Sequence, residues 1–221
     1  MWGTVFQGNV CKIIAIVFIF IQCKPERNID LLPYYNTSDF SPLWINDKDS
    51  IKILVPHTIS NFSFKDQHGA IITRKDVEGK IHVANFFFTT CTSVCPRMTE
   101  QLRFVQNKYR EDSTIVLLSF SVTPWLDTSE KLKRYAERND INSKQWHLLT
   151  GDKASIYILA RKSYFAEESL GFKKDSSDFL HTEHVLLIDD YGRIRGIYNG
   201  TLPLETERLV ADIEVLRKVR E

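Results

Sequence analysis

The sequence predicts an α/β fold with a central mixed sheet flanked by helices and an N-terminal extension ahead of it. Three observations carry this. Two runs that are apolar at nearly every position, residues 81–89 (IHVANFFFT) and 115–122, read as strands buried on both faces. Each is followed by a stretch with helical spacing of apolar residues. Two further apolar runs then flank the turn Asp189-Asp190-Tyr191-Gly192 and close as a hairpin ahead of a terminal helix.

The elements follow in order. Residues 59–64 and 70–73 read as short strands around the turn Asp66-Gln67-His68-Gly69. After the strand at 81–89, residues 96–110 form a helix with Met98, Leu102, Val105 and Tyr109 on one face, and Pro96 suits its first turn. Residues 129–139 form a helix capped by Thr128 or Ser129. A short strand at 145–149 leads into a helix at 153–163. Residues 184–188 and 194–198 make the hairpin. The final helix, 204–219, places Leu209, Ile213, Leu216 and Val219 at helical spacing. Strand–helix–strand–helix, then a hairpin and a helix, is the thioredoxin-type order.

The chain of 221 residues has ordinary composition, 43% hydrophobic and 26% charged, which excludes a multi-span membrane protein and a wholly disordered chain. Its net charge of +1 gives no general pull toward nucleic acid, and none is expected as a partner. Residues 13–21 (IIAIVFIFI) are too short to span a bilayer, which takes roughly 20 residues, but suit the apolar part of a signal peptide behind Lys12. The run stops at Cys23, followed by Lys24, Pro25, Glu26 and Arg27, and so resembles a bacterial lipoprotein signal. Gln22 departs from that pattern, which favours a small residue there. The resemblance implies a signal peptide at 1–22 and a lipidated Cys23; residues 23–54, polar and broken by Pro33 and Pro42, read as a tether whose aromatic residues pack in part on the domain, and residues 55–221 read as the thioredoxin-like domain. The resemblance also places the protein in the cell envelope, membrane-anchored on the extracytoplasmic side. An uncleaved short anchor and a misassigned start are the alternatives, and only the second leaves the domain unexported.

Of four cysteines, Cys11 falls in the removable segment and Cys23 is acylated in this reading, leaving Cys91 and Cys95. They punctuate a strand-to-helix junction. The plain alternative is a stabilising disulfide or two buried thiols. The junction favours function: thiolates near a helix N-terminus attack disulfides and bind soft metals. This position favours Cys95 as the thiol of lower pKa, with Cys91 more accessible at the exposed end of the strand. Two thiolates make a linear Cu(I) site, and one imidazole completes a trigonal Cys₂His set suited to copper. Structural zinc takes four ligands, and no further cysteine is available. His57, His68, His82, His147, His181 and His184 are all candidates on residue type.

The run FFFTTCTSVCPRMTEQL, residues 86–102, resembles the signature of the Sco/SenC family of copper proteins, C-x-x-x-C-P after a buried strand. SFSVTPWLDTSEKLKRYA (119–136), WHLLTGDK (146–153) and HTEHVLLIDDYGRIRGIYNG (181–200) are similar to the same family in the same order. The resemblance implies copper, as Cu(I), Cu(II) or both, on Cys91, Cys95 and His181. The family histidine precedes Ser or Thr and lies eight residues before the Asp of an I-D-x-x-G turn; here that Asp is Asp189, and His181-Thr182 fits where His184 does not. The usual Asp before it is replaced by Leu180, with Asp178 and Glu183 weak substitutes as a fourth ligand.

The implied role is a metallochaperone that delivers copper to the binuclear copper site of cytochrome c oxidase, or reduces that site's cysteines. Its partners would be the copper-site subunit of that oxidase or another cuproprotein, and a thiol reductant protein. The alternative is a metal-independent thiol–disulfide oxidoreductase, with Cys91 and Cys95 as its redox pair. A peroxide-reducing enzyme fits less well, because the usual Pro and Thr upstream of a peroxidatic cysteine are missing.

Overall fold

The computed structural model describes residues 31–166 and 182–220. The elements run β1 (Tyr34–Tyr35), β2 (Pro42–Leu43), α1 (Lys48–Leu54), β3 (Ser63–Lys65), β4 (Ile71–Thr73), a 3₁₀ turn (Arg74–Val77), β5 (Ile81–Phe87), α2 (Val94–Lys108), β6 (Ile115–Ser121), α3 (Ser129–Arg138), β7 (Trp146–Leu149), α4 (Lys153–Lys162), β8 (His184–Ile188), β9 (Ile194–Asn199) and α5 (Pro203–Arg220). Seven strands form one sheet in the order β2-β1-β9-β8-β5-β6-β7, and β3 and β4 form a separate hairpin. β5, β6 and β7 are parallel; β8 runs antiparallel to β5, and β9 antiparallel to β8. This is the mixed sheet expected. No helix among the described residues is long and apolar enough to cross a membrane.

β5 and β6 are buried at every position, as their nearly continuous apolar runs require, and the polar His82, Asn85, Ser119 and Ser121 within them are buried too. Successive side chains leave the sheet on opposite faces. Val83, Leu117, Leu148, Val185 and Leu187 join Leu102 and Val105 of α2, Leu132 of α3 and Ile213 of α5 in one core layer. Ala84, Phe86, Leu118, Phe120, Leu149 and Leu186 join Phe64, Ile72 and Ile156 in the other. Gly192 closes the β8–β9 turn at φ 85°, and a side chain there would run into the Arg74 guanidinium.

Two boundaries differ from expectation for local reasons. The first strand of the small hairpin is shorter. Ile59 and Phe62 are buried as expected, but Ile59 N–H donates to Gly192 O (2.9 Å) and Phe62 O accepts from Arg74 N–H (3.3 Å), so only residues 63–65 pair with β4. α2 begins at Val94, two residues before Pro96. Proline is tolerated there because first-turn amides have no intrahelical acceptor.

Part of the N-terminal extension packs on the domain. Tyr35 pairs with Ile194 at the edge of β9. The buried Arg195 donates to Pro33 O (3.0 Å) and Leu32 O (2.7 Å) and lies 3.8 Å from the centre of the Tyr34 ring. α1 is capped by the Asp47 carboxylate, which accepts from the amides of Asp49 and Ser50.

His82, in β5, is 0% exposed, with Nε2 3.2 Å from the Tyr164 hydroxyl and no partner at Nδ1 among the described residues. Burial, helped by the Arg74 charge, pushes its pKa from 6.5 down to about 3. The unfolded chain therefore binds a proton at His82 that the native chain refuses. The neutral form's contribution is complete above pH 6.5 and is lost as pH falls toward 3. The expected slope is about 1.4 kcal/mol per pH unit. Urea midpoints at pH 7 and pH 5 check this: His82→Leu should lose less stability over that interval than the native sequence.

Candidate metal centre

The parallel strands deliver residues 88–93 to the C-terminal edge of the sheet. Cys91 N–H donates to Phe88 O (3.3 Å), turning the chain sharply after β5. α2 then starts at once and carries Cys95 in its first turn. Cys91 is half-buried, Cys95 is 4% exposed, and the two thiols are not joined. Cys95 N–H donates to Cys91 Sγ at 3.3 Å.

The two sulfurs differ in charge preference, opposite to the order expected from sequence. Burial pushes the Cys91 thiol up, but hydrogen bonds from the amides of Cys95, Ser93 and Val94 and from the Cys95 side chain outweigh it, and its pKa is lowered. Burial pushes Cys95 up to about 12, with the neighbouring Cys91 and Asp127 charges adding to the rise against one supporting hydrogen bond from the Phe88 amide. The free amides of the helix start do favour a thiolate, as expected. They serve the sulfur that lies before the helix, whereas Cys95 points back into the core layer beneath α2. Cys91 should therefore be alkylated first in the reduced protein at neutral pH, with Cys95 modified fully only after denaturation. Peptide mapping by mass spectrometry checks the order, and primary labelling of Cys95 would contradict it.

The walls of the site are apolar with a few placed polar groups. The Phe87 ring lies 5.5 Å from that of Tyr135, whose hydroxyl is 2.8 Å from Thr99 Oγ1 on α2. Burial raises the Tyr135 pKa, and the two cysteines beside it add to the rise. Gly200 lies against Val185, Glu183 O and Met98, close enough that a Cβ would collide. Sequence reading missed Asp127. It is fully buried and accepts from both the amide and the hydroxyl of Thr89, two residues before Cys91. Its place inside the 119–136 block was the only signal available.

Among the described residues, no histidine or carboxylate completes a group of three with the cysteine pair. His57 stacks on Phe165 at 4.3 Å and lies 2.8 Å from Ser163 O. His68 is exposed in its turn, and His147 pairs with Asp66 at 3.3 Å. His184 meets Phe40 edge-on at 5.9 Å. It shares the strand face of Leu186, opposite the face on which Val185 packs with α2. Glu183, the weak substitute for a carboxylate ligand, accepts from Asn199 Nδ2 at 2.8 Å. His181, Asp178, Leu180 and Cys23 lie outside the described residues. The donor chemistry present, a supported thiolate beside a second thiol on a half-open turn, fits a soft metal ion.

A thioredoxin-like domain with a cysteine pair at the strand-to-helix turn defines a class of proteins that handle thiols or soft metals. Within that class this chain belongs to the SCO1/SenC family, whose sequence model matches residues 53–218. It is similar to a SCO1/SenC family lipoprotein from Bacillus anthracis, with 31% identity, a TM-score of 0.63, and coverage of 73% of this chain and 95% of that one. BsSco, reported with a disulfide switch as a member of the Sco family of cytochrome c oxidase assembly proteins, is 27% identical, with a TM-score of 0.61 over 72% and 92% of the two chains. ScoI of Bradyrhizobium japonicum, solved with copper bound, is 27% identical, with a TM-score of 0.54 over 72% and 99%.

Proposed function

We propose that this protein is a copper-binding metallochaperone of the cell envelope that serves assembly of the binuclear copper site of cytochrome c oxidase. The observation that carries the reading is the pair itself: Cys91 is supported as a thiolate by first-turn amides, with Cys95 Sγ beside it as a second soft donor. Copper is the cargo. Cys91, Cys95 and His181 hold it, and the half-exposed side of Cys91 lets a partner's thiolates replace them one at a time. His181 is assigned from the family pattern, since it precedes Thr182 and lies eight residues before Asp189, whereas His184 does not fit. The test is copper content and stoichiometry of the purified soluble domain, native beside His181→Ala. One copper per native domain, with two sulfurs and one nitrogen by X-ray absorption, is the expected result. Only oxygen or nitrogen neighbours would defeat the reading.

The asymmetry of the thiols also favours reduction of a partner's cysteines. Cys91 thiolate attacks a partner disulfide and expels one partner thiolate. Cys95, deprotonating, then attacks the mixed disulfide and expels the other. The partner gains two electrons, and Cys91–Cys95 is left as a disulfide. Copper and the disulfide exclude each other, since the metal takes both thiolates. Copper loading of the reduced and the oxidised protein distinguishes the roles. Equal loading would place the metal elsewhere and leave the oxidoreductase reading. For location, the resemblance of residues 13–23 to a lipoprotein signal supports a lipid on Cys23 and an extracytoplasmic domain. Labelling with a radioactive fatty acid should mark the native chain and not Cys23→Ser.

A further inference from the structure

We propose that Asp127 is a positioning residue for the metal pair: by holding Thr89 it fixes the turn that presents Cys91, and so sets how tightly the pair grips a soft ion. The inference rests on the copper reading above. Asp127 is 0% exposed, and five donors converge on its carboxylate. Oδ2 accepts from Thr89 N–H (3.2 Å), Ser121 Oγ (2.7 Å) and Thr123 Oγ1 (3.0 Å). Oδ1 accepts from Thr89 Oγ1 (2.5 Å) and Lys131 Nζ (3.2 Å).

A buried carboxylate is costly unless it is hydrogen-bonded, so this one demands its partners. Those partners come from the exit of β5, the exit of β6 and the first turns of α3. Val122 N–H to Phe87 O (2.9 Å) adds a second staple between the two strand exits. Thr89 stands between that junction and Cys91, whose own amide closes on Phe88 O. The backbone from Phe87 to Cys91 is thus held at both ends. That holding keeps Cys91 Sγ against the Cys95 amide. With roughly four lone-pair positions on a carboxylate and five donors in place, Asp127 has no oxygen free to serve as a metal ligand. Its action on the metal runs through Thr89.

The experiment uses Cu(I) as the probe, in competition with a Cu(I) chelator, on the native protein, Thr89→Val, Thr89→Ser and Asp127→Asn. Thr89→Val removes the hydroxyl that donates to Asp127 and leaves charge unchanged. It should weaken Cu(I) binding about tenfold, the scale of one hydrogen bond to a charged group. Thr89→Ser restores the donor and should bind as the native protein does. Asp127→Asn should weaken binding, and Thr89→Val added to it should cost little more, because both act through one contact. Metal-free Thr89→Val should melt below Thr89→Ser, because the buried carboxylate loses a partner, so Cu(I) binding is compared at a temperature where both variants are fully folded, which separates positioning from folding. Native-like Cu(I) binding by Thr89→Val overturns the proposal, as does an equal loss in Thr89→Ser.

A second arm needs no copper. Closure of the Cys91–Cys95 disulfide by oxidised glutathione should be several-fold slower in Thr89→Val than in the native protein or Thr89→Ser, because a loosened turn lowers the effective concentration of one sulfur at the other. If the native protein binds no Cu(I) but this order of rates holds, the copper reading fails and the positioning role stands. Equal rates in all three overturn the positioning role.

Discussion

Replacing either cysteine of the pair with serine should abolish tight copper binding. A tetrahedral four-ligand metal site is worth about 10–16 kcal/mol, so one ligand accounts for about 3 kcal/mol, on the order of a 100-fold loss. The loss should exceed that here, because a hydroxyl is a hard, neutral donor and a soft ion left with one sulfur has no second anchor. The two variants should nevertheless differ in what remains. Cys95→Ser keeps Cys91 under the amides of Ser93, Val94 and residue 95, so its sulfur should stay reactive toward alkylating reagents. Cys91→Ser removes the neighbouring charge that helps raise Cys95, but burial is the larger cause of the rise, so Cys95 should stay protonated and slow to react. Chelator competition measures the first effect and alkylation rates the second. Tight binding retained by either variant would place the copper on other residues. A faster-reacting lone Cys95 would reverse the assignment of the thiolate.

How much of this site could be read from sequence depends on how local the cause is. The apolar runs of β5 and β6 announce buried strands because every position faces a core layer. The caps of α3 and α4, Thr128 and Asp152, act on amides three residues ahead, so helix starts are legible too. The order of the thiols was not legible. It turns on which sulfur points toward the free amides and which into the core, and both cysteines satisfy the same sequence argument. Asp127 was hidden for another reason: its contact with Thr89 spans 38 positions of the chain. The pairing of β1 with β9 rests on one residue pair, Tyr35 with Ile194, beside the Arg195 bonds to Leu32 O and Pro33 O, far too little to show a period. Short strands such as β3 end where their partners end, which Ile59 and Phe62 could not announce. His181 lies outside the described residues, so its place in the metal set stands on the family resemblance.

Trp146→Ala should be among the most damaging substitutions in the core. Trp146 is 1% exposed at the start of β7, paired with Leu117 of β6. Its indole N–H donates to Ser119 Oγ at 2.8 Å, and the Ser119 hydroxyl donates in turn to Asn85 Oδ1 at 2.5 Å. Asn85 and Ser119 face each other in the β5–β6 register. This polar chain crosses three strands that are mostly apolar, so it marks the correct register: sliding β6 by one position would strand Ser119 and Asn85 without partners. Truncating Trp146 to alanine empties the volume of an indole and removes the donor, at a cost of about 3–5 kcal/mol. Native domains of ordinary stability have about 5–15 kcal/mol in all. Trp146→Phe removes the N–H and part of the ring system but keeps most of the volume, and since Ser119 can still donate to Asn85 the cost should be on the order of 1 kcal/mol. Urea midpoints give both values, and melting should fall by about 10 °C or more for alanine and about 3 °C for phenylalanine. Equal losses in the two variants would mean that the hydrogen bond, rather than the packing, holds β7 to β6. Because β5 leads directly into the turn of Cys91, the folded fraction of Trp146→Phe should bind copper as the native protein does, whereas a shifted register would weaken binding beyond the loss of folded protein.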